Sequence, residues 1–149
     1  MKEFFGAIYD TVFGIHSNDY YEIFQHLYDN GGYLKLGFSF ILIPLLCWMI
    51  FYFLWKYPYG KLWHWLLWLT FTILVVAGVT YGIANTELFG SNNQTLNELM
   101  ADERNKYYSY AVKLPIKYAL ANSLLALVIG ALYSILMKQF SKVQIHLPF

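Results

Sequence analysis

The stretch Leu62 to Ala84, LWHWLLWLTFTILVVAGVTYGIA, contains no acid, no lysine and no arginine. An α-helix rises about 1.5 Å per residue, so about 20 residues cross the roughly 30 Å hydrocarbon layer of a bilayer. This segment is long enough to do so. Two others match it: Leu36 to Trp55, closed by Lys56, and Tyr118 to Met137. Inside hydrocarbon every backbone N–H and C=O needs an internal partner, and these runs lack the alternation of barrel strands, so helices are predicted. Composition agrees. The 149 residues are 58% hydrophobic and 21% aromatic but only 13% charged, against roughly 25% charged in soluble domains. The expected fold is an all-α integral membrane protein with three transmembrane helices, at residues 36–55, 62–84 and 118–137, plus amphipathic helices before and between the spans.

The polar segments outside the spans are patterned too. Residues 1–35 form an N-terminal region in which Met1, Phe4, Phe5, Ile8, Val12 and Ile15 share one helical arc, opposite Lys2, Glu3 and Asp10. A second helix groups Tyr20, Ile23, Phe24, Leu27 and Tyr28 against Asp19, Glu22 and Asp29, and stops at Asn30-Gly31-Gly32. Its polar face is acidic, which suits protein or solvent better than anionic lipid. The 36–84 unit is a hairpin, because Lys56-Tyr57-Pro58-Tyr59-Gly60-Lys61 is too short for anything else and places Pro58 and Gly60 as a type I turn does. Between residues 85 and 117, Thr95-Leu96-Asn97-Glu98 has the capping-box pattern and opens a helix with Leu96, Leu99, Met100, Tyr107, Tyr110 and Leu114 on one side. That helix is expected to continue into the third span with a bend at Pro115. Residues 138–149 are a short tail.

Helices associate in lipid by close backbone approach and interhelical hydrogen bonds, since lipid tails are as apolar as leucine. On the third span Ala119, Asn122, Ser123, Ala126, Gly130 and Ser134 occupy one arc and bulky side chains the rest. Gly78 and Gly82 add a GxxxG spacing on the second span. These eight residues are the expected helix-packing interface, and they point to a homo-oligomer or to other subunits of a membrane complex. A pore reading would line a path with Thr70, Thr80 and Asn122 and set Glu103 near its mouth. Trp55, Trp63, Trp65 and Trp68 crowd the hairpin end as interfacial anchors.

Several roles are disfavoured. No span carries an ionisable acid, lysine or arginine away from its ends, which removes the groups that pumps and voltage sensors need. His16, His26, His64 and His146 lack metal-ligand spacing, and Cys47 sits within an apolar run. No enzyme and no cofactor are predicted. A net charge of +1 and the absence of a basic stripe give no case for nucleic acid. The partner is a lipid bilayer, of a plasma or inner membrane. The Lys/Arg count favours one side and their density the other, but the first span, flanked by Lys35 against Lys56 and Lys61, places the 56–61 turn and the C-terminus, with Lys138 and Lys142, on the cytoplasmic side. The reading that follows is a non-enzymatic membrane subunit that self-associates or anchors a larger assembly, with a homo-oligomeric channel as the alternative and a small membrane enzyme or transporter behind it.

Overall fold

In the computed structural model the described residues are 1–13, 20–55, 61–90, 94–101 and 104–141, and all regular structure among them is helical. Helix α1 is Lys2–Phe13, α2 is Tyr21–Asp29, α3 is Gly32–Met49, α4 is Leu62–Phe89, α5 is Gln94–Met100, α6 is Lys106–Ala111 and α7 is Leu114–Lys138. Three helices are long and apolar enough to cross a membrane: α3 with the π-helical turn Ile50–Leu54 that extends it, α4, and α6 with α7. They pack against one another pairwise as an up-down-up bundle. Each is longer than the uncharged run that predicts it, because the polar residues at its ends find partners. Lys35 before the first run and Glu87 beyond the second form an ion pair that ties α3 to α4.

The junction between α2 and α3 is sharper than the pattern of glycines suggests. Gly31 adopts φ 71, the left-handed region that glycine enters without penalty, and α3 starts at the next residue. The chain therefore turns within one residue and lays α2 beside the start of α3. Further along, the segment read as one helix from Thr95 is two. Asn105 interrupts it: its side-chain oxygen accepts from the Tyr107 N–H at 3.2 Å, and its amide donates to the Leu99 carbonyl at 3.1 Å. An asparagine in this role offers the backbone more at a cap than within a helix. Pro115 falls in the first turn of α7, where its missing N–H is harmless. Pro44 lies within α3, which continues through it to Met49.

Two buried clusters sit at opposite ends of the bundle. At the cap end, Phe5 and Tyr9 of α1, Ile23, Phe24 and Leu27 of α2, and Leu96 and Met100 of α5 close over Tyr33, Leu36, Leu88 and Tyr118. At the other end Trp48, Phe51 and Tyr52 pack with Trp65, Trp68, Leu69, Tyr133 and Met137. Helix α1 covers the bundle with Phe5 and Tyr9, whereas Met1, Phe4 and Val12 of the arc expected to dock stay exposed. The leucine-rich faces of α4 and α7 stay outward, with Leu74, Leu120 and Leu124 well exposed, as suits side chains that meet lipid.

Candidate functional site

Asn122 occupies the centre of the cap end and is fully buried. Its oxygen accepts from the Tyr9 hydroxyl at 2.8 Å. Its amide nitrogen faces the Leu36 carbonyl at 2.9 Å and the hydroxyls of Ser39 and Thr80, each at 3.2 Å. Ser39 in turn donates to Leu36 O at 2.7 Å and lies 3.0 Å from the Thr80 hydroxyl. Four helices, α1, α3, α4 and α7, are joined by this knot. A buried amide left without partners would be expensive in so apolar a setting, and this one has a partner for its oxygen and for both N–H groups. Burial pushes the Tyr9 phenol above its ordinary range, so it remains a donor to Asn122.

Close approach makes the knot possible. A methyl group added to Gly37 would collide with the Phe5 ring, so α1 can reach α3 only because residue 37 has no side chain. The aromatic layer above is continuous: Tyr9 stacks on Tyr33 with centroids 5.1 Å apart, and Tyr33 and Tyr118 hydroxyls meet at 3.3 Å.

The stripe on α7 runs from this knot toward the tryptophan end. Ala119, Asn122, Ala126, Gly130 and Ser134 are buried, and α3 and α4 of the same chain cover them. Ser123 is half-buried and donates to the Ala119 carbonyl of its own helix. Gly130 accepts the Trp48 indole, whose Nε1 would lie 2.9 Å from an added Cβ. Ser134 accepts from Trp65 Nε1 at 2.6 Å, and its hydroxyl meets that of Tyr52 at 2.7 Å. Trp68 Nε1 donates to the Cys47 carbonyl at 2.8 Å. Trp65 and Trp68 therefore join helices, while Trp55 and Trp63 are exposed.

The remaining candidates lie elsewhere. Thr80 belongs to the Asn122 knot, whereas Thr70 is exposed and donates back to the Leu66 carbonyl of its own helix. These two and Asn122 do not share a surface. Glu103 lies outside the described residues, as do His16 and His146. Gly78 and Gly82 face outward, and a methyl group added at either would meet no atom within 4 Å among the described residues. On the same outer face of α4 are Phe71, Leu74, Tyr81 and Asn85, all exposed and none charged. No group of His, Cys, Asp and Glu among the described residues is arranged to hold a metal ion.

Sequence reasoning did not single out Tyr9, Ser39, Gly37 or Trp48. The available signals were small residues, Gly37 and Ser39, breaking an otherwise bulky run, and a tyrosine close to the apolar arc of an amphipathic helix. Comparison with protein-family models, with curated proteins and with solved structures returns no match, so the functional reading rests on the residues themselves.

Proposed function

We propose that the chain is a non-enzymatic membrane subunit that pairs with a second copy of itself through the outer face of α4. The observation that carries this reading is the open surface at Gly78 and Gly82. On α7 the small residues are filled by α3 and α4 of the same chain, but on α4 a methyl group added to either glycine would meet none of the described residues. In lipid, such a pair lets two backbones approach closely and gain dispersion and Cα–H···O contacts that leucine faces cannot reach. A second copy suits the face because it has no charge to desolvate. Asn85, exposed about two turns from Gly78, carries both donor and acceptor and can pair with its own symmetry mate. The accompanying topology has the 56–61 turn and the C-terminus in the cytoplasm, on the strength of Lys56 and Lys61 against Lys35 at the flanks of the first span.

The test is disulfide trapping in native membranes with Cys47, the single cysteine, changed to alanine. Gly78→Cys should give a cross-linked dimer, and Leu124→Cys on the outward face of α7 should not. Gly78→Leu combined with Gly82→Leu should weaken dimerisation by about tenfold or more in native mass measurements. A monomer in mild detergent, together with no cross-link from Gly78→Cys, would sink the proposal.

A further inference from the structure

The cap carries a feature that helix pairing does not use. Between α1 and α2, with α3 as its floor, lies an open cleft of about 490 Å³, a size typical of small-molecule sites. Glu3 and Asp10 come from α1, Tyr21, Tyr28 and Asp29 from α2, and Tyr33 from the start of α3. The spacing that orients the α1 pair is helical: residues 3, 6, 7 and 10 share one face, and the middle two are glycine and alanine. Their small size keeps the wall back from the opposite helix, since a methyl group added to Gly6 would already lie 3.2 Å from the Tyr28 ring. Tyr33 is held rigidly, stacked on Tyr9 and bonded through its hydroxyl to Tyr118, and meets Tyr28 edge to face at 6.5 Å.

The geometry points to recognition of an organic ammonium ion in this cleft. Three carboxylates and three phenol rings line it, and among the described residues no lysine, arginine or histidine does. Aromatic faces attract cations through their quadrupoles, most strongly where water is partly excluded. At the rim the Lys2 ammonium donates to the Asp29 backbone carbonyl at 3.1 Å. Apart from Lys2, an anion would meet only like charge among the described residues. A metal ion is a poor occupant, because the carboxylates are spread over two helices and no metal-holding group occurs among the described residues. The cleft sits at the bundle end where the first span begins, so the ammonium group can arrive from solution or as the head of a membrane amphiphile.

The two sources separate in one titration of the full chain in dodecyl maltoside. Choline serves as the free cation, dodecyltrimethylammonium as the amphiphile, and 3,3-dimethylbutanol as the uncharged isostere of choline. Saturable binding of either cation without binding of the alcohol is expected, and the cation that binds identifies the source. Glu3→Gln combined with Asp10→Asn should weaken it by about tenfold, and Tyr21→Ala by a few-fold. Lys2→Ala removes an internal competitor and should tighten binding by about twofold to threefold. Unchanged melting temperatures would establish that these variants remain folded. The proposal is overturned if neither cation binds saturably, if the alcohol binds equally well, or if the double carboxylate variant and Tyr21→Ala both leave affinity unchanged. None of these outcomes depends on whether the chain pairs through α4.

Discussion

The two ends of the bundle bury polar groups in different ways. At the cap end one amide, Asn122, is met on every side by groups from α1, α3 and α4. At the tryptophan end one hydroxyl, Ser134, bonds both Tyr52 and Trp65, while the fully buried Trp48 Nε1 has no hydrogen-bond partner among the described residues. The first arrangement specifies orientation, because the amide's partners come from three other helices at once. The second relies on shape, with an indole seated against Gly130. Polar matching thus determines where α1 docks, and packing determines how closely α3 and α7 approach.

Removing the amide should have the largest effect. Asn122→Ala strands the Tyr9 hydroxyl and leaves a cavity, and should lower stability by about 2 to 4 kcal/mol, read from unfolding of the purified protein in detergent. Gly37→Leu attacks the same end through shape. Its side chain would collide with Phe5, so α1 should leave α3, raising the labelling of an Ile8→Cys reporter in a Cys47→Ala background, with a loss of about 1 to 3 kcal/mol. At the other end, Gly130→Ala presses on the indole and should cost about 1 to 2 kcal/mol, with partial rescue by Trp48→Phe in a double-mutant cycle. Rescue would establish that the glycine is there for the indole; additivity would argue that it is not. Ser134→Ala should be the mildest, about 1 kcal/mol, since interhelical hydrogen bonds in membranes contribute modestly. A larger loss from Ser134→Ala than from Asn122→Ala would reverse the ranking of the two ends.

The spans were legible because uncharged length is a direct readout of hydrocarbon thickness. The α7 stripe was legible for a similar reason, since Ala119, Asn122, Ala126, Gly130 and Ser134 recur at helical spacing. What covers the stripe was not. Its partners Tyr9, Leu36, Ser39 and Thr80 lie far away in the chain, and nothing local in them records the pairing. Patterning could establish that Asn122 needs a partner but not that α1 would supply one. The break at Asn105 was hidden because apolar residues on both sides keep a common helical phase. The ammonium cleft was hidden more deeply, as its carboxylates and phenols are ordinary members of two amphipathic helices until those helices are laid side by side.

The Tyr9 to Asn122 hydrogen bond spans 113 positions of sequence. A ribosome adding about 5 to 20 residues per second needs on the order of 10 s to cover that distance. Helix α1 therefore cannot reach its seat until α7 has been made. During that interval Phe5 and Tyr9 have no bundle to cover. Asn122 gives α1 a seat that exists only once α7 is in place, so the docking of α1 marks a finished bundle.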